Sequence, residues 1–168
     1  WWVKHAVALK SAIVGFVAGA ATQIADNLAR KKMGYDVNWG DGALAAGLGA
    51  ATYNAVSVYT RGNSVAAGYA SAFVESTVSE VECYVKGTKS LSSQSFKDSA
   101  KRIAKDTAVK GTAYAAAGKI ADRLIPLDVP AMVNHGMTTG EFKQTIFQSL
   151  GQSAAYLFGK YGILASLS

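Results

Sequence analysis

Apolar and small residues run along this chain in blocks of helical length, separated by short polar or glycine-containing breaks. Five blocks read as helices, at about 3–29, 39–59, 64–86, 96–125 and 138–165. The first ends in Arg30, Lys31 and Lys32, cations that suit a helix C-terminus, and Gly34 supplies a stop. Residues 36–41 read as a turn, with Asn38 as a cap and Asp41 at the spacing of a capping box. Thr138 and Glu141 repeat that spacing before the last block.

In the third block, Val74, Val78, Val81 and Val85 fall on one helical face and Glu75, Ser79, Glu82 and Lys86 on another. This predicts a buried valine stripe and a solvated glutamate face, with Glu82 and Lys86 paired at i,i+4. Residues 81–85 also alternate as a strand would, so a short β segment competes there. Residues 87–95 are rich in Ser and Thr and read as a hinge; residues 127–137 hold Pro130 and read as irregular.

Ala12 to Leu28 aligns with Ala108 to Leu124 through Gly15/Gly111, Ile24/Ile120, Ala25/Ala121, Asp26/Asp122 and Leu28/Leu124. Leu48-Gly49 and Leu150-Gly151, then Tyr59 and Tyr161, extend the correspondence. The expected architecture is therefore an all-α, Ala/Gly-rich bundle of about five helices. It forms a single domain over 1–168 with a duplicated helical hairpin, at roughly 8–62 and 104–165.

Composition sharpens this picture. The 168 residues include 30 Ala and 17 Gly; half are apolar and only 17% are charged, with a net charge of +6. So much apolar surface excludes disorder, and a single Cys83 excludes a disulfide scaffold. One Cys and two His cannot close a four-ligand zinc shell, so no metal and no cofactor are expected. The start at Trp1 suggests a processed chain or a piece of a longer one. The first residues carry no secretory signal, so an export address would lie upstream.

No nucleophile elbow, phosphate loop or zinc-protease motif occurs. His5 and His135 read as structural or exposed, and Cys83 as a small buried residue. Glu75, Glu80 and Glu82 could serve as acid–base groups, but Lys86 at helical spacing favours a solvated face. Asp26 and Asp122 read as exposed polar positions.

Small residues recur in helical register: Gly15 and Gly19; Gly42, Ala46 and Gly49; Gly111 and Gly118; Gly151, Ala155 and Gly159. Such spacing lets backbones approach closely, in a membrane or in a compact soluble bundle. Residues 42–60 and 144–159 carry no charged side chain, close to the ~20 residues a spanning helix needs. Arg61 and Lys160 stand at the ends of these runs, placed to snorkel toward headgroups. Lys97, Lys101, Arg102 and Lys105 form a basic stripe suited to anionic lipid. The stripe lacks interleaved aromatics, so nucleic acid is the weaker partner.

The turn at 36–41 followed by the Ala-Gly helix 43–50 resembles the glycine-zipper regions near the C-termini of bacterial polymorphic toxins. Residues 138–144 and 154–162 resemble the pretoxin segments of contact-dependent inhibition and Rhs-like effectors. The Val-Glu-Asn-Asn sequence that often marks the toxin boundary there is absent. The resemblance implies a secreted domain, delivered by a larger protein to a target-cell membrane, with a cognate immunity protein as partner. The expected function is thus a non-enzymatic, pore-forming module that inserts residues 42–60 and 144–168 and self-associates as a homo-oligomer. Its competitors are a resident small membrane protein, a soluble toxin using the three glutamates, and an oligomerisation module.

Overall fold

The computed structural model describes residues 2–167, with side chains as far as residue 162; residues 163–168 of the expected inserting segment lie outside the described side chains. It is all-helical, with no strand among the described residues. Six helices follow one another: α1 (Trp2–Lys32), α2 (Ala43–Tyr59), α3 (Ser64–Val85), α4 (Ser93–Leu124), α5 (Val129–His135) and α6 (Thr139–Leu167).

Local sequence explains most of the boundaries. Asn63 accepts from the backbone N–H groups of Val65 and Ala66 at the start of α3. Ser92 caps α4 through Ser95 N–H, and Asp128 caps α5 through Ala131 N–H. Thr138 and Glu141 form a complete capping box: Glu141 N–H donates to Thr138 Oγ1 and Thr138 N–H to Glu141 Oε1. At the α1–α2 turn only half of the expected box forms, with Asn38 N–H donating to Asp41 Oδ2. The helix starts later, after Gly42 in a left-handed conformation. The turn is gripped from α1, where buried Asn27 donates to the carbonyls of Trp39 and Asp41.

The long helices close a ring. α1 packs on α2, α2 on α3, α3 on α4, α4 on α6, and α6 back on α1. The short α5, in the stretch that reads as irregular, covers one end by packing Val129 and Met132 on Val7, Ala8 and Val58. With α4 spanning 32 residues, about 48 Å long, the bundle is slender. Its accessible surface of 9398 Å² exceeds the about 7,900 Å² expected for a compact monomer of this mass.

Residues 81–85 are helical, as the third block predicts, and the competing β segment does not form. The orientation of α3 overturns an expectation, because the glutamate face is not solvated: Glu75 is only 4% exposed and Glu80 6%, while Val81 and Val85 face outward. The cause lies one and two turns earlier. Ala67, Gly68, Ser71 and Ala72 are the residues small enough to let α3 approach α2 and α4. A Cβ on Gly68 would stand 2.7 Å from the Ala115 backbone nitrogen, and Ser71 donates to the Gly49 carbonyl. Once that stripe turns inward, helical spacing carries Glu75 and Glu80 inward with it.

Candidate functional site

The interior is built largely from alanines and tyrosines, with buried serines, glutamines, asparagines and two glutamates among them. Its central cluster is Tyr53, Ala67, Ala72, Ala113, Tyr114, Ala117 and Tyr156. Three tyrosines from α2, α4 and α6 stack across the bundle axis. The Tyr114 and Tyr156 rings lie 3.6 Å apart, and Tyr53 and Tyr114 6.4 Å apart. The Tyr156 hydroxyl donates to Glu75. A buried carboxyl is tolerated only when bonded in this way.

Glycine positions make room for this arrangement. A Cβ on Gly49 would meet the Tyr114 hydroxyl at 2.7 Å, one on Gly118 would overlap the Tyr53 hydroxyl, and one on Gly111 the Tyr69 ring. Gly15 and Gly19 instead admit a neighbouring backbone: added Cβ atoms would stand 2.6 and 2.7 Å from the carbonyl oxygens of Ala50 and Ala46. Gly42 lies in the exposed turn, Gly151 faces open space, and Ala155 and Gly159 are half-buried, Gly159 beside Ala113. The small residues therefore serve two purposes, close helix contact and seats for aromatic rings. Only the first is visible from spacing.

The other glutamates are engaged separately. Glu80 pairs with Lys89, with Arg102 at 3.5 Å, and accepts from Ser99 at 2.9 Å. Burial works to raise its pKa, but the hydrogen bonds from Lys89 and Ser99 and the charges of Lys89 and Arg102 outweigh that and hold it below the usual value. Glu82 pairs with Lys86 at 3.6 Å. The three carboxyls thus point to three different sets of partners rather than into one open cavity. Among the described residues no group of three or more His, Cys, Asp or Glu could hold a metal ion. Asp26 is half-buried rather than exposed: it accepts from Tyr161 at 2.8 Å and pairs with Arg30. Asp122 stays exposed.

Several large apolar side chains lie on the outer surface in helical register. Leu9, Ile13 and Val17 form an exposed stripe on α1, with Ile13 56% exposed, and Phe73 and Val81 are exposed on α3. Phe147, Leu150 and Phe158 are exposed on α6, Phe158 at 81%. Between α1 and α6 runs a groove of about 280 Å³ lined by Ile13, Val17, Ala21, Phe142, Ile146 and Leu150, with no polar surface. α1 is long and apolar enough to cross a bilayer, with a mean hydropathy of 1.5 over its best 18 residues; α2, at 17 residues, is too short for that. Lys97, Lys101 and Lys105 are exposed and carry no carboxylate partner among the described residues; Arg102 alone of the basic stripe is tied to Glu80.

Comparison with protein-family models, with curated proteins and with solved structures finds no match for this chain.

Proposed function

We propose that this chain is a membrane-active toxin module that adsorbs to anionic lipid and permeabilises it by inserting uncharged helical segments. The observation that carries the reading is the set of large apolar side chains left exposed on neighbouring helices, Leu9, Ile13 and Val17 on α1 and Phe147, Leu150 and Phe158 on α6. Exposed apolar stripes of this extent mark protein or membrane contact.

The inserting unit is centred on α1, with the shorter α2 carried against it and α6 beside it. Residues 11–25 and 42–60 contain no charged side chain. Their mutual contact through Gly15, Gly19, Ala46 and Ala50 needs no water to hold it together. Asn54 adds a hydrogen bond from α2 to the Ser11 carbonyl of α1, satisfying a polar group that would otherwise be orphaned in lipid. Lys97, Lys101 and Lys105 on α4 supply the electrostatic attraction that precedes insertion, each worth about 1 kcal/mol at an anionic surface. Glu75 and Glu80 serve the fold, and no second reading rests on them. In a producing cell, an immunity protein would shield the α1–α6 face.

The test is dye release from liposomes by the detergent-free protein. Vesicles containing phosphatidylserine should leak at low protein-to-lipid ratio and neutral phosphatidylcholine vesicles far less. Intact vesicles of both kinds, at every pH, with the protein still in solution, would refute the reading.

A further inference from the structure

Where α2 turns into α3, the bundle holds a polar cavity that the membrane reading does not use. Its volume is about 110 Å³, several times the ~10–15 Å³ that one water occupies. Gln152 on α6 lines it and is 5% exposed, and its Nε2 has no hydrogen-bond partner. A buried amide without a partner is costly, and of the buried polar atoms left without one among the described residues, Gln152 Nε2 is the one that lines this cavity. Tyr53 also lines the cavity, its hydroxyl seated against Gly118 and hydrogen-bonded to none of the described residues.

Two opposite charges stand at the same cavity. Arg61, exposed in the α2–α3 turn, borders the cavity and pairs with no carboxylate among the described residues. Asp122, exposed on α4, borders it from the other side; Gln148 Nε2 donates to its Oδ1 at 3.2 Å, which fixes the carboxylate and leaves Oδ2 uncommitted. Gln148 is itself anchored, donating to the Ile125 carbonyl at 2.9 Å.

We propose that this cavity binds a small zwitterion of the α-amino-acid type. Its carboxylate is taken by Arg61, Gln152 Nε2 and the Tyr53 hydroxyl, and its ammonium by Asp122. A guanidinium with a carboxylate is the strongest pairing available here, and the cavity's own charge sums to zero, which disfavours a simple anion or cation. The inference is independent of membrane insertion.

Two substitutions remove the recognition without threatening the fold. Gln152→Leu replaces an unsatisfied amide by an apolar group of similar shape. Arg61→Asn removes the charge where the backbone is left-handed, at φ 57°, a conformation asparagine tolerates better than most side chains. The experiment is a ¹H–¹⁵N NMR titration of the full chain with L-alanine, propionate and ethylammonium in parallel. Saturable shifts at Gly62, Ser64 and Gly118 are expected with alanine. The two half-molecules should bind at least tenfold more weakly, and each substitution should weaken alanine at least tenfold. No saturable shift with alanine means that the cavity holds only water and overturns the proposal. Equal binding of either half-molecule, or unchanged alanine binding in both variants, overturns it as well.

Discussion

The Tyr156 hydroxyl on α6 donates its hydrogen bond to Glu75 on α3, joining helices 81 residues apart in sequence at the centre of the bundle. Glu75 is buried, and Tyr114 stacks on the Tyr156 ring beside it. Tyr156→Phe should destabilise the fold by about 1.5–3 kcal/mol, the range for a lost bond to a charged or strongly polar partner. In a Glu75→Gln background the same change should cost less, because the two groups act as a unit. Urea unfolding of the four proteins gives the coupling; additive effects would mean that the bond contributes nothing.

The glycines divide into two classes with opposite responses. Gly15→Ala places a methyl group 2.6 Å from the Ala50 carbonyl and forces α1 from α2, at a cost of about 1–3 kcal/mol. Gly151 sits inside α6 with nothing within 4 Å of an added Cβ. Gly151→Ala should therefore stabilise by about 0.5–1 kcal/mol through helix propensity. Thermal melts of the two variants should move in opposite directions.

Glu80 gives the fold a defined response to acid. Its carboxyl titrates below the usual value when folded, so its contribution is present above the unfolded pKa of about 4.3 and is lost as pH falls through the lower folded value. Glu80→Gln should be less stable than the parent near neutral pH, with the difference shrinking steadily below about pH 4.5. Denaturation midpoints between pH 3 and 7 check this. A gap that stays constant across the range would contradict it.

Helix positions were legible in the sequence because caps and the glycine stop at Gly34 mark them, and the capping box at Thr138 forms as its spacing predicts. The orientation of α3 was not. Valine and glutamate periodicity points the valines inward, but the close approach at Gly68 and Ser71 decides the rotation, and that contact involves residues whose smallness carries little weight in a hydrophobic pattern. The tyrosine seats were hidden for a related reason. Gly49 and Gly118 match a helix-packing spacing, while their partners Tyr114 and Tyr53 lie on other helices. Helix α5 escaped notice because seven residues cannot show a period, although Asp128 and Pro130 are proper starting signals. The cavity at Gln152 joins α2, α4 and α6 and has no local signature at all.

The most direct test of membrane contact is to ask where the α1 stripe goes when lipid is added. Val17 is exposed, and the one native thiol, Cys83, can be removed as Cys83→Ser. A Val17→Cys, Cys83→Ser protein carrying an environment-sensitive fluorophore should shift its emission to the blue on mixing with phosphatidylserine-containing liposomes. Brominated acyl chains should then quench it. Emission that stays at the water-exposed wavelength and escapes quenching, while the protein co-sediments with the same vesicles, would show that the apolar face does not enter the bilayer.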